Sequence, residues 1–125
     1  MSLPEEFYII PEEVFRVGNS TSPLLHKVRG GEVDVVDLNG VKVILANGKG
    51  VSVYNEAGLK LAPLSGWVWK FARGTVLPTD LKLVSEGAGH FLVAPARNMP
   101  VDKYKGILEE MGLKALKLFK KAAVQ

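Results

Sequence analysis

Turns built from asparagine and glycine divide the middle of the chain into short runs rich in β-branched residues. The runs cover residues 32–37, 41–46 and 51–54, and they are separated by Asn39-Gly40 and by Asn47-Gly48-Lys49-Gly50. Asn-Gly pairs adopt the positive φ angles that tight hairpin turns require, and β-branched residues favour extended strands. The spacing therefore predicts a meander of three short antiparallel strands.

A second hairpin is predicted around Gly87-Ala88-Gly89, because glycine enters the positive φ region of a tight turn at little cost. Residues 81–85 and 90–94 flank this turn and have the apolar, β-branched composition of strands. They should pair with each other across the turn as antiparallel strands.

The N-terminal part of the chain predicts short elements separated by turn-forming residues. These are an edge strand at residues 7–10, a helical turn at 11–13, a half-buried strand at 14–17 and a short helix at 24–28. Within the half-buried strand, Arg16 has two interpretations. It is either a surface residue or a fixed cation beside a cleft.

Three large rings alternate along a predicted strand at residues 66–71, which follows a stretch read as extended at residues 59–63. Trp67, Trp69 and Phe71 would share one face of that strand. We expect this face to pack into the core. The competing interpretation is a platform on which bases stack, but no basic cluster accompanies the rings.

The end of the chain has a helical pattern. Between Asp102 and Gly112 apolar residues recur at helical spacing after the start signal Pro100. For residues 113–123, leucines and lysines fit a basic amphipathic helix or, if the segment divides after Leu116, a last strand; we favour the helix. Strands followed by a C-terminal helical element predict an α+β fold.

Composition excludes several classes of protein. The length of 125 residues fits one domain covering residues 1–125, and the absence of cysteine with only two histidines argues against a metal centre. A net charge of +3 and 8% aromatic residues do not fit sequence-specific nucleic-acid binding. No apolar run approaches the roughly 20 residues that span a membrane. We expect a cytoplasmic protein, or one secreted without a cleavable signal peptide.

His90 is the titratable side chain with the most suggestive position, since it opens an apolar strand directly after a glycine-rich turn. A neutral imidazole offers one donor and one acceptor, so a histidine at the mouth of a strand suits a ligand site. The competing interpretation is a half-exposed histidine without a role. His26, the second histidine, is expected to be structural or merely exposed.

Three blocks of the sequence, together with Val14-Phe15-Arg16, resemble a known family. The blocks are residues 50–58, 78–83 and 90–99. In order and spacing they are similar to the core of a small cytotoxic effector family of the type VI secretion system. The fold of that family is similar to the catalytic domain of ADP-ribosylating toxins such as diphtheria toxin.

The resemblance implies two antiparallel β-sheets forming an ADP-ribosyltransferase-like cleft that binds NAD as a substrate. On matching positions, it implies Arg16, Ser52 and His90 as catalytic residues and Arg16, Ser52 and Tyr54 as NAD-binding residues. Arg16 would hold a phosphate or ribose of NAD, and Ser52 would contact the nicotinamide ribose. Tyr54 would line the nicotinamide pocket. The resemblance also implies a toxin that acts in the target-cell cytoplasm and is neutralised by a cognate immunity protein.

The chain departs from the ADP-ribosylating pattern in one respect. It has no Glu-x-Glu or Gln-x-Glu motif near the expected late strand, and Glu86 is the carboxylate closest in sequence to His90. Two alternative functions remain open. One is a non-catalytic module that binds a protein or an anionic partner through the Trp67, Trp69 and Phe71 face or the lysine-rich end. The other is an RNA-directed transferase of the same fold.

Overall fold

The computed structural model describes residues 5–122. Its strands are β1 (Glu6–Phe7), β2 (Val14–Gly18), β3 (Val35–Leu38), β4 (Val41–Ile44), β5 (Val51–Tyr54), β6 (Gly66–Phe71), β7 (Leu81–Gly87), β8 (His90–Pro95), β9 (Met99–Pro100) and β10 (Leu116–Lys121). Its helices are α1 (Glu56–Leu61) and α2 (Val101–Gly112).

The strands form two antiparallel sheets. One has seven strands in the order β1-β7-β8-β5-β2-β6-β10, and the other has three in the order β3-β4-β9. The α+β fold with two antiparallel sheets is therefore confirmed. The edge strand expected at residues 7–10 is shorter and begins earlier, as β1 (Glu6–Phe7) pairs with β7 at one end of the larger sheet and Ile9 forms an isolated bridge with Val76.

Two of the three predicted hairpins are present. β3 pairs with β4 across Asn39-Gly40, and β7 pairs with β8 across Gly87-Ala88-Gly89. The predicted meander is wrong for its third strand, because β5 joins the larger sheet between β8 and β2. Val51 and Val53 are fully buried there, whereas β4 is mostly exposed. Burial of apolar area thus explains the position of β5.

The helix α2 covers one face of the larger sheet. Tyr104, Leu108 and Met111 lie on one side of α2 and are buried in the same apolar cluster as residues of β5 and β8. The hydroxyl of Tyr104 donates a hydrogen bond to the backbone oxygen of Val93 at 2.5 Å. The helix predicted over residues 102–112 is confirmed.

The helix favoured for residues 113–123 is wrong, and the alternative of a last strand after Leu116 is correct. Leu116–Lys121 pairs as β10 with β6, with a register shift between Lys117 and Lys120. The mixed spacing of leucine and lysine fits either period. The segment forms a strand because pairing with the edge of β6 supplies hydrogen-bond partners to backbone groups of both segments. Ala123 lies outside the described residues.

The short helical elements are also placed differently. Residues 11–13 and 24–28 form bends and turns instead of helices, and α1 includes residues predicted to be extended. Asn55 accounts for α1, because its side-chain oxygen accepts a hydrogen bond from Gly58 N at 2.9 Å and so caps the first turn. None of the helices within residues 5–122 has the length and hydropathy needed to cross a membrane.

The aromatic residues of β6 differ in burial. Phe71 is buried in the main core, whereas Trp67 and Trp69 are half-buried. Trp69 Nε1 donates a hydrogen bond to the backbone oxygen of Asn19 at 2.9 Å. The ammonium group of Lys117 lies 4.8 Å from the ring centroid of Trp67. The expected core packing is complete for Phe71 and partial for the two tryptophans.

Candidate functional site

A cleft opens where the central strands β2 and β5 separate. Among the described residues, their pairing is limited to Phe15 with Tyr54, although β2 pairs with β6 along its whole length. The cleft encloses a cavity of about 210 Å³. The lining residues are Arg16, Val17, Gly18, Leu24, Arg29, Glu32, Ser52, Tyr54, Leu64 and Ser65.

Arg16 reaches into this gap from the core-facing side of β2. Its side chain is 7% exposed, and its terminal nitrogens donate to the backbone oxygens of Ser52 at 2.7 Å and Leu24 at 3.3 Å. Its Nε has no hydrogen-bond partner within residues 5–122. Burial lowers the pKa of the Arg16 guanidinium, while the charge of Glu32 opposes that shift. Of the two interpretations, the fixed cation beside a cleft describes this placement.

Ser52 has its backbone held by side chains in place of a neighbouring strand. Its carbonyl accepts from Arg16, and its N–H donates to Glu32 Oε2 at 3.1 Å. The other oxygen of Glu32 accepts from the backbone N–H of Arg29 at 2.7 Å. These contacts satisfy the groups of Ser52 that the separation of β2 from β5 would otherwise leave unpaired.

The hydroxyl of Ser52 belongs to a chain of three polar side chains. His90 Nε2 lies 2.9 Å from Ser52 Oγ, and His90 Nδ1 lies 3.0 Å from Glu86 Oε2. The ring of Tyr54 stacks on the imidazole, with centroids 5.1 Å apart and an interplanar angle of 20°. The stacking and the two polar contacts fix the imidazole in position and in the plane of its ring.

The β7–β8 hairpin brings Glu86 to His90. Ser85 pairs with Phe91 and Gly87 pairs with His90, so Glu86 is an extra residue in the pairing and forms a bulge. Bulges re-aim side chains and are common beside active sites. In this hairpin the bulge and the turn that follows it place the carboxylate against the imidazole.

The turn of this hairpin is docked on the start of α1. The backbone N–H of Asn55 donates to the Gly89 oxygen at 2.9 Å. A Cβ added at Gly89 would lie 2.3 Å from the Asn55 side-chain oxygen. Gly87, Ala88 and Gly89 have φ angles of 84°, 54° and 77°, so three successive residues adopt the left-handed region. Close approach therefore requires glycine at position 89.

A family model described as Tse2 ADP-ribosyltransferase toxin matches residues 12–118 of the 125. The chain belongs to this family. The match confirms the resemblance seen in the sequence, and it identifies a bacterial toxin with an ADP-ribosyltransferase-like fold. A search of the curated proteins found no significant match, and neither did a search of the solved structures.

The Tse2-family toxin brings together the four residues predicted from sequence. Ser52 contacts Arg16 through its backbone and His90 through its hydroxyl, and Tyr54 stacks on His90. Arg16, Ser52 and Tyr54 line the cavity, whereas His90 is not among its lining residues and contacts Ser52 and Tyr54. The side chain of Arg16 projects from the core-facing side of the sheet, whereas the side chain of Ser52 projects from the opposite side. The guanidinium and the hydroxyl therefore approach the site from different faces of the sheet.

Sequence analysis missed Glu32 in this Tse2-family site. It follows the turn Arg29-Gly30-Gly31 and lies far in sequence from the other site residues. No local pattern distinguishes it from an ordinary surface glutamate, because its role arises from tertiary contact with Ser52. The part of the chain that the structure describes holds no group of three or more His, Asp or Glu side chains arranged to bind a metal ion.

Proposed function

We propose that this toxin is an NAD-dependent ADP-ribosyltransferase that binds NAD in the cleft between β2 and β5. The observation that carries the proposal is the position of Ser52. Its backbone is clamped by Arg16 and Glu32, and its hydroxyl is bonded to His90 at the point where the sheet opens. A serine held in this way is already in position and does not need to rearrange when a ligand binds.

The lining of the cleft supports an anionic ligand. Two arginines, Arg16 and Arg29, border the cavity beside a single carboxylate, Glu32. The Nε of Arg16 is buried and has no acceptor among the described residues, which suits contact with a phosphate or ribose oxygen of NAD. The cavity of about 210 Å³ is smaller than the roughly 300–1,000 Å³ usual for ligand pockets. It would enclose one end of the dinucleotide, with the remainder along the surface.

The proposed roles follow from the chemistry of nicotinamide release. When the bond between nicotinamide and ribose breaks, positive charge develops on the ribose, and a polar site must stabilise it. Ser52 would contact the nicotinamide ribose, and Tyr54 would line the nicotinamide pocket beside His90. The carboxylate of Glu32, which lines the cavity, would supply negative charge where the family pattern of a late-strand glutamate is missing.

We also propose that the toxin is delivered by a type VI secretion system, acts in the cytoplasm of the target cell and is neutralised by a cognate immunity protein. Membership of a toxin family supports this proposal, because a producing cell that makes such a protein must protect itself.

The alternative of a non-catalytic module acting through the aromatic face receives less support. Lys117 covers the ring of Trp67, and Trp69 uses its Nε1 within the fold. Phe71 is buried. No described contact favours the RNA-directed alternative over transfer to another molecule.

Calorimetric titration with NAD tests the proposal. Wild type should bind NAD, and Ser52→Ala and His90→Ala should each bind it less tightly and lose toxicity on expression. Ser20→Ala and His26→Ala are matched controls outside the cleft and should retain both properties. Failure of wild type to bind NAD, together with full toxicity of Ser52→Ala and His90→Ala, would reject the proposal.

A further inference from the structure

We propose that Glu86 is a positioning residue, which acts through His90 to set the direction of the Ser52 hydroxyl in the cleft. The inference deepens the proposed function and rests on it, because the hydroxyl matters only if a ligand occupies the cleft. It is carried by two short polar contacts: Glu86 Oε2 lies 3.0 Å from His90 Nδ1, and His90 Nε2 is hydrogen-bonded to Ser52 Oγ at 2.9 Å.

Glu86 selects the protonated nitrogen of the imidazole. An ionised carboxylate has only acceptor atoms, so the nitrogen facing it must carry a proton. In a neutral ring, protonation of Nδ1 leaves Nε2 with a free lone pair. Which nitrogen of a histidine is protonated is set by the partner of the other nitrogen, and here the carboxylate of Glu86 lies 3.0 Å from Nδ1 of His90.

The state of His90 in turn fixes the hydroxyl of Ser52. With Nε2 as acceptor, the Ser52 hydroxyl must donate its proton to the ring, and its oxygen presents lone pairs to any other neighbour. The reverse arrangement would have Nε2 donating to Ser52, which frees the hydroxyl proton to point elsewhere. Glu86 therefore determines whether Ser52 offers an acceptor or a donor to a bound ligand.

An acceptor is the electrostatically useful choice in the proposed reaction. A ribose hydroxyl can donate to the Ser52 oxygen, and the negative end of the hydroxyl dipole faces the positive charge that develops as nicotinamide leaves. A proton pointing into the cleft would oppose that charge. The interaction grows in the transition state, so it should affect kcat more than the binding of NAD.

The hairpin prepares this arrangement before a ligand arrives. Glu86 is the extra residue of the bulge, and the turn that follows is anchored to Asn55. The ring of Tyr54 on β5 stacks on His90 of the paired strand β8 and restricts rotation of the imidazole. The side chain of Glu86 is 49% exposed, so its substitution should alter the imidazole without disturbing the core.

Nitrogen-15 NMR of a histidine-labelled sample tests the inference without NAD. The chain has two histidines, so His26→Asn identifies the signals of His90. We expect a neutral His90 ring protonated at Nδ1 in wild type, and a population shifted toward protonation at Nε2 in Glu86→Gln, whose amide can donate as well as accept. The exposed Glu110→Gln on α2 is the matched control and should leave the signals unchanged.

Three NMR outcomes would overturn the inference. They are protonation at Nε2 alone in wild type, a doubly protonated ring at neutral pH, and identical His90 signals in wild type and Glu86→Gln. None of these depends on whether the cleft binds NAD. Absence of NAD binding in the calorimetric titration, together with full toxicity of Ser52→Ala and His90→Ala, would instead reject the proposed function while the NMR result stood.

Steady-state release of nicotinamide from NAD supplies the kinetic test. Glu86→Gln should lower kcat roughly tenfold or more, the size of effect expected for a hydrogen bond to a charged group, and raise KM for NAD by a much smaller factor. A raised KM with unchanged kcat would overturn the inference, because it would place Glu86 in contact with NAD itself. Glu110→Gln should retain both constants.

Discussion

The backbone oxygen of Ser52 accepts a hydrogen bond of 2.7 Å from Arg16 Nη1, across the gap where two central strands part. In an unbroken sheet that oxygen would be paired by the neighbouring strand. Here a side chain replaces the strand, and the space between the backbones becomes the cleft. The same contact therefore supports the fold and borders the candidate site.

Replacing Arg16 with methionine should destabilise the protein. The substitution keeps a long side chain but removes the donors that reach Ser52 and Leu24, and an unpaired buried carbonyl costs about 1–3 kcal/mol. We expect the free energy of unfolding in urea to fall by about that amount. Arg73→Met, at an exposed position, should change it little. Equal stability of the two variants would contradict the role given to Arg16.

Replacing Tyr54 should weaken the site through loss of the stack on His90. Aromatic pairs contribute about 0.5–1.5 kcal/mol beyond their buried area. We expect Tyr54→Ala to reduce NAD affinity about tenfold in calorimetric titration, and Tyr54→Phe to reduce it much less because the ring remains. Tyr8→Ala, at an exposed position, is the control. Equal losses in the Ala and Phe variants would point to the hydroxyl instead of the ring.

Gly89→Ala should destabilise the protein more than Gly74→Ala. Both glycines have positive φ, 77° and 87°, so the conformational strain of alanine is similar. A Cβ at Gly89 meets Asn55 Oδ1 at 2.3 Å, whereas one at Gly74 has nothing within 4 Å. We expect about 1–2 kcal/mol for Gly74→Ala and a larger loss for Gly89→Ala, measured by urea unfolding. Similar losses would show that the docked turn adapts easily.

Tyr104 should make stability fall at alkaline pH. Burial raises the pKa of its hydroxyl above the usual 10.0, and a phenol that stays neutral when folded contributes stability below its unfolded pKa. That contribution is lost as pH rises from about 10 toward the folded pKa, because the unfolded chain releases the proton first. Tyr104→Phe should lose about 1 kcal/mol at neutral pH by removing the bond to Val93 and should show a shallower alkaline decline.

Urea unfolding at about pH 8 and about pH 11 measures this difference, on either side of the usual pKa of tyrosine. Tyr8→Phe is the control, since Tyr8 is 56% exposed. A wild-type decline no steeper than that of Tyr104→Phe would contradict the pKa argument.

Local patterns in the sequence predicted local structure. The turn at Gly87-Ala88-Gly89 and the helix after Pro100 depend on residues close in the chain, and both are confirmed. The last strand depends on the distant edge of β6, and for that reason helical spacing misled the prediction for residues 113–123. That residues 1–125 form a single domain stays a prediction.

The candidate site was predictable only through resemblance. Ser52 and His90 are 38 positions apart, and no spacing rule joins them. Glu32 and Glu86 reach the site through a loop contact and a bulge, which depend on tertiary structure that composition does not reveal. The site forms only once the folded sheet has placed these side chains within hydrogen-bond distance.

The single pairing of Phe15 with Tyr54 joins two parts of the larger sheet. Arg16 lies in the part formed by β2, β6 and β10, whereas Ser52, Tyr54, His90 and Glu86 lie in the part formed by β1, β7, β8 and β5. A mutation that shifts the register of β2 would move the arginine and release the Ser52 carbonyl, but the contacts of the Ser52 hydroxyl with His90 and of His90 with Glu86 lie on the other strands. The arginine side of the cleft can therefore change in evolution separately from the contacts among serine, histidine and glutamate.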